Sequence, residues 1–176
     1  WGLEKETWKI LTNLKRMGVN QWFQIGDNDL LTHLIRTDLL KSGKTLTEVI
    51  NHIRKLYGLK FQIVPMSDEW FQTKIITKNK KLSFQEYFVK LKCKPTVKSI
   101  VMEGQGENNG ANPSPIFKKS IKSVSSIVFC PSNPLLSIAP IIELNGIRKQ
   151  IQNFPGEKIM ISPLKKGQAF KGPTIK

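Results

Sequence analysis

Two short apolar runs, SSIVFC at 125–130 and EKIMIS at 157–162, constrain the fold more than any other feature of the chain. The stretch between them, Leu135 to Asn153, reads as largely helical around Pro140 and Gly146. Strand, helix, strand, with both strands continuously apolar, is the pattern of a parallel sheet covered on both faces. The predicted class is α/β, with residues 61–176 as a partial Rossmann-like three-layer core. A chain of 176 residues has room for one such domain and a small appendage.

The appendage is residues 1–60, a helical segment. Trp8, Leu11 and Leu14 sit at helical spacing between Glu4 and Met17, and Gly18 closes that helix. A second helix spans about Asp29 to Leu40, with Leu31, Leu34 and Ile35 on its apolar side and Asp29, Thr32, His33 and Arg36 opposite. In the third, Thr45 and Glu48 form a capping box, Leu46, Val49, Ile50, Ile53 and Leu56 form the stripe, and Gly58 is the stop. Past Gly58 the period changes. Strands are expected at 61–66, 71–77, 82–91 and 97–104, then a Gly/Asn/Pro-rich loop, then a short helix capped by Ser114 and opened by Pro115.

The loops after the two apolar strands, PSNP at 131–134 and SPLKKG at 162–167, fall at strand carboxyl ends, where open parallel sheets bind ligands. Ser132 and Asn133 precede a helix, so their side chains and its first N–H groups could hold a phosphate, with Lys165 and Lys166 adding charge. The plainer alternative is that Ser132 or Asn133 caps the helix and the prolines stiffen a turn. A second polar cluster is GDNDLLTHLIR at 26–36. Asp27 is expected to cap the helix, while Asp29, His33 and Arg36 project from one face, either as a clamp for a polar ligand or as a solvated face with internal ion pairs. Met66-Ser67-Asp68 ends a strand, and Glu86 could supply a second carboxylate, yet two isolated carboxylates argue weakly for acid–base work.

The balance of 28 Lys+Arg against 13 Asp+Glu, net +15, favours anionic partners. The lysines are scattered and lack an interleaved aromatic surface, which argues against nucleic acid. No apolar run nears the roughly 20 residues of a membrane span, so no membrane partner is expected. Cys93 and Cys130 lack metal-ligand spacing and read as two reduced thiols of a cytoplasmic protein. There is no Ser-His-Asp signature, HExxH, P-loop or GxGxxG. Pattern alone stops at an α/β domain that binds a phosphorylated ligand.

In order along the chain, GDNDLLTHLIR, VPMSD, FQEYFVK, CPSNPLLSIAPII and SPLKKGQAFKGP resemble the 2-phospho-L-lactate transferase family of coenzyme F(420) biosynthesis. The resemblance implies a Rossmann-like core with an added helical segment. It also implies transfer of a 2-phospholactyl (or enolpyruvyl phosphate) group from a guanosine diphosphate-linked donor to the deazaflavin Fo, with GMP leaving and Mg2+ assisting. Ser132, Asn133, Pro134 and Ser162 match the donor and nucleotide side. Asp27, Asn28, Asp29, His33 and Arg36 match the acceptor motif, and Met66, Ser67 and Asp68 line the region between. It assigns no catalytic residue, and a homodimer is the family's frequent state.

Two departures stand out. The family usually has arginine where this chain has Asn28, and an amide cannot replace a guanidinium's charge. Ala139 replaces a glycine. The opening at Trp1 and the close at KGPTIK predict a fragment, inactive alone, whose metal ligands and glycine loop lie upstream of Trp1. The alternative function is a non-catalytic nucleotide-sugar-binding regulator of the related gluconeogenesis-factor branch, which typically lacks the PSNP and GDRD strings.

Overall fold

A computed structural model describes residues 3–19, 21–106, 110–165 and 168–169. The chain divides into two compact units, Trp1–Ile63 and Val64–Lys176.

The first unit is three helices: α1 (Lys9–Arg16), α2 (Asp27–Lys41) and α3 (Leu46–Leu56). The expected capping box opens α3, with Thr45 Oγ1 accepting from the Glu48 amide at 3.2 Å and the Glu48 carboxylate accepting from the Thr45 amide at 2.8 Å. At its end Gly58 sits at φ 64°, and its N–H and that of Leu59 return to the carbonyls of Lys55 and Arg54. A side chain is costly in that left-handed conformation, so glycine stands there. The same pair of bonds ends α1 at Gly18 and α2 at Gly43.

α1 starts at Lys9, later than the periodicity predicts, because a carboxylate from α2 fixes its first turn there. Leu11 and Val49 are buried, but Leu31 and Leu34, expected on the packed side of α2, are 55% and 60% exposed. No residue of α2 is buried as a whole.

Among the described residues the second unit holds three sheets. β1 (Phe71–Thr77), β2 (Lys81–Ser83) and β3 (Val97–Gly104) form an antiparallel sheet in the order β2-β1-β3. The first pair is in register at Ile75–Leu82 and the second at Ile75–Ile100. Ile75, Leu82 and Tyr87 make its core.

The chain predicted as a strand at 61–66 forms none. Pro65 has no N–H to give a ladder, its carbonyl accepts from Ser114 Oγ at 2.8 Å, and the Met66 carbonyl accepts from the Ser114 amide at 2.8 Å. The strand predicted at 82–91 stops at Ser83. There Ser83 and Glu86 form a reciprocal cap, and a π-helical turn (Glu86–Lys90) follows.

α4 (Pro115–Ser123) is capped by Ser114, as its sequence predicts. β4 (Ser126–Phe129) then pairs in parallel with β5 (Glu157–Met160). The crossover between them runs through a second π-helical turn (Pro134–Ile138), α5 (Ala139–Ile142) and α6 (Ile147–Gln152). Lys158 on β5 donates to the carbonyls of Ile151, Gln152 and Phe154, closing the end of α6. Short hairpin strands β6 (Leu164–Lys165) and β7 (Gln168–Ala169) follow.

A second core of this unit is Ala111, Ile121, Leu144, Ile147 and Phe154, with Ile127 of β4 and Phe71 against it. The class is α/β with a partial Rossmann-like core, but the two parallel strands are not buried as predicted. Val128 and its partner Ile159 are 50% and 45% exposed, because only the Ile127 side of the pair meets the apolar core, and Met160, at the end of β5, is 70% exposed. Among the described residues no helix is long and apolar enough to cross a membrane.

Candidate functional site

The residues picked out by the sequence lie in two clusters, one in each unit. In the second unit, β4 and β5 run parallel with Phe129 opposite Met160, so both carboxyl ends lie on one edge. The Ile161 amide donates to the Phe129 carbonyl at 3.0 Å, which brings the PSNP loop beside Ser162 and Pro163. An expected juxtaposition of two strand-end loops is therefore present.

Asn133 does what a cap does. Its Oδ1 accepts from the amides of Leu135 and Leu136, each at 3.0 Å. Pro134 follows at the first position of the turn. The expected free N–H groups for a phosphate are thus already engaged by Asn133. Because both partners are donors, the side chain must turn its oxygen to them, which points the NH2 away from the two amides within the same plane. Ser132 is half-buried, and Ser162 Oγ closes a local turn by accepting from the Leu164 amide at 3.1 Å. Lys166 lies outside the described residues.

The Met66-Ser67-Asp68 turn is held internally. Ser67 is buried, its Oγ donating to the Asn112 carbonyl at 2.6 Å and accepting from the Glu69 amide at 3.0 Å. Met66 packs on the apolar core, and Asp68 is half-buried. Glu69, which the sequence reading passed over, accepts from both the amide and the side chain of Asn112. Those bonds hold its carboxyl below the ordinary range. Glu86, weighed as a second carboxylate, is bound to Ser83 and likewise held low by the bonds from Ser83.

In the first unit, α2 presents His33 and Arg36 as a bonded pair, Arg36 Nη2 to His33 Nδ1 at 2.7 Å. A guanidinium only donates, so Nδ1 is the acceptor and the neutral ring carries its proton on Nε2. Burial first, and the Arg36 charge second, push the His33 pKa below its ordinary value, with Asp29 opposing them. Thr32 is tied to Tyr57 by a 2.7 Å hydroxyl contact. Asp27 does not cap its own helix. Its oxygens accept from the Lys9 and Ile10 amides of α1 and from Thr7 Oγ1. The cap on α2 comes from Glu6, which receives the Asn28 and Asp29 amides. Glu6 was missed by the sequence reading. The available signal was Gly26 at the N-cap, a residue with no side chain to cap anything.

No group of three or more His, Cys, Asp or Glu side chains converges among the described residues. The described residues do not themselves build a magnesium site.

A family model described as 2-phospho-L-lactate transferase CofD matches residues 4–174. The chain belongs to the 2-phospho-L-lactate transferase CofD family. A 2-phospho-L-lactate transferase of Methanosarcina mazei is 31% identical over 176 residues, covering 100% of this chain and 56% of that protein. A phosphoenolpyruvate transferase of Kitasatospora aureofaciens is 32% identical over 181 residues with the same coverage, 100% and 56%. The chain thus spans just over half the length of the curated relatives it matches. A crystal structure of a Bacillus halodurans protein, whose companion structure describes it as a upf0052 family member, superposes with TM-score 0.61. It is 15% identical, over 96% of this chain and 51% of that one, which shows the fold alone. The CofD family match takes in residues of both units of the chain.

Proposed function

We propose that this CofD chain carries residues of both substrate sides of a transferase in coenzyme F(420) biosynthesis. The donor is a guanosine diphosphate-linked three-carbon acid phosphate, and the acceptor is a hydroxyl of the deazaflavin Fo. The acceptor oxygen forms a new bond to phosphorus, the bond from that phosphorus to the GMP oxygen breaks, and the hydroxyl's proton passes to solvent water. Catalysis of such a step rests on donors aimed at the charge that develops at phosphorus.

The observation that carries the reading is the placement of the PSNP loop and Ser162 together at the carboxyl ends of β4 and β5. There the Asn133 NH2 and the Ser132 hydroxyl supply neutral donors for diphosphate oxygens. On the acceptor side, His33 offers Nε2–H to a carbonyl or hydroxyl of Fo, with Asn28, Asp29 and Arg36 as its neighbours. With Nδ1 accepting from Arg36, His33 orients rather than deprotonates. The named relatives divide between phospholactate and phosphoenolpyruvate transfer, so both acids remain substrates of the reading. Mg2+, a cytoplasmic setting and a homodimer belong to the same proposal.

Asn133→Asp tests it. An aspartate keeps the cap on Leu135 and Leu136 but replaces the NH2 by negative charge. Affinity for GDP, measured calorimetrically, should fall by roughly tenfold or more, as for loss of a charge-assisted bond with added repulsion. Unchanged GDP affinity would remove Asn133 from the donor side. Binding of a UDP-sugar without turnover of the guanosine donor would favour the regulator instead.

A further inference from the structure

The two N-terminal helix starts of the first unit exchange carboxylates. Asp27, the first residue of α2, accepts from the amides of Lys9 and Ile10 at 3.0 Å each, and so caps α1. Glu6, ahead of α1, accepts from the Asn28 amide at 2.9 Å and the Asp29 amide at 3.2 Å, and so caps α2. The Asp27 amide closes the ring by donating to the Thr7 carbonyl at 2.9 Å. The Asn28 and Asp29 amides are the donors that a Ser or Asp at the N-cap would serve locally.

Gly26 is the trace this exchange leaves in the sequence. Its backbone is ordinary extended chain, φ −76° and ψ 165°, which any residue adopts. Glycine is therefore not there for conformation. A Cβ at Gly26 would lie 2.1 Å from Glu6 Cδ and 2.3 Å from Glu6 Cγ. The glycine at the head of the GDND string admits the Glu6 side chain.

We infer that Glu6 is a positioning residue for the α2 face. It fixes the first turn that carries Asn28 and Asp29, and Asp29 in turn stands one helical turn before His33. The functional half of this inference rests on reading that face as the acceptor site. The local half does not. Asp27, with both oxygens on α1, serves the same device rather than touching a ligand.

The test is a double-mutant cycle of Gly26→Ala and Glu6→Ala in the full chain, with Glu6→Gln as the conservative variant. Gly26→Ala alone should lower the unfolding midpoint and speed amide exchange at Asn28 and Asp29. In the Glu6→Ala background the same change should cost little, because the space is then open. Glu6→Ala should weaken Fo binding about tenfold with GDP affinity unchanged, since small misplacements of positioning groups are costly. Glu6→Gln, with one acceptor oxygen in place of two, should fall between. Additive effects of Gly26→Ala and Glu6→Ala overturn the seat for Glu6. Fo affinity that stays constant while exchange at Asn28 and Asp29 speeds overturns the positioning role. An unsubstituted chain that binds GDP but no Fo instead overturns the acceptor reading of α2, and the cycle still decides the hold of Glu6 on the helix.

Discussion

His33 and Arg36 show how one hydrogen bond fixes a chemical role. An imidazole whose Nδ1 accepts from a guanidinium is neutral and protonated on Nε2, so it donates outward. Arg36 also opposes the charging of the ring, second only to burial. Removing it in Arg36→Ala should therefore raise the His33 pKa toward its ordinary value, since desolvation alone would remain against Asp29. The ring resonances followed by NMR across pH 5 to 8 read this directly. A downward move or none would refute the close approach of Arg36 to the ring. That this pair shares a helix face was legible from the three-residue spacing. The roles of Asp27 and Glu6 were not, because a cap given across some twenty residues leaves no local pattern beyond an unexplained glycine.

At the scale of elements, sequence patterns succeeded where bonds are local and failed where a short polar string overrides an apolar run. The Thr45–Glu48 box and the Ser114-Pro115 start stand as read. Ser83-Phe84-Gln85-Glu86 is the same signature, yet the alternating LSFQEYFVKL around it favoured a strand. The structure follows the box: Glu86 takes the Ser83 amide at 2.8 Å, and Phe84 and Phe88 stack at 5.3 Å, four residues apart as on a helix. Ser83→Ala should cost about 1 kcal/mol, the usual value of an N-cap serine. The midpoint should drop by about 2–4 °C for a chain of this size. Ser99→Ala, on the exposed side of β3, is the control and should stay within about 0.5 kcal/mol. Equal effects at the two serines would mean that Glu86 alone ends the strand. The parallel pair was legible as a pair, from two apolar runs and a helical crossover. The exposure of Val128 and Met160 was not, since apolar composition records what a strand can bury and not what covers it.

Across the whole molecule the same motif recurs: carboxylates clasping backbone amides. Glu6, Asp27, Glu48, Glu69 and Glu86 are all held below their ordinary range, mainly by hydrogen bonds they accept. A carboxyl with a lower pKa in the fold than in the unfolded chain adds stability above its unfolded pKa, and that contribution is lost as pH falls through the folded one. The depressed His33 acts in the same direction, from a higher pH. Stability should therefore be level above about pH 7, decline modestly as pH falls through about 6.5 where the unfolded His33 would charge, and fall more steeply below about pH 4.5 where the carboxylates are protonated. A second effect runs in parallel, because protonating 13 acidic groups leaves 28 Lys+Arg unopposed and the fold repels itself. Salt separates them. Ionic strength near 1 M shortens the screening length to about 3 Å and suppresses repulsion between distant charges, but it does not restore a proton-blocked acceptor. Unfolding midpoints at pH 3 should recover only in part with added NaCl. Full recovery would mean that the clasps carry no stability and that charge alone drives acid unfolding. Glu6→Gln/Glu48→Gln/Glu69→Gln/Glu86→Gln should flatten the salt-insensitive part of the pH profile while leaving the salt-sensitive part in place.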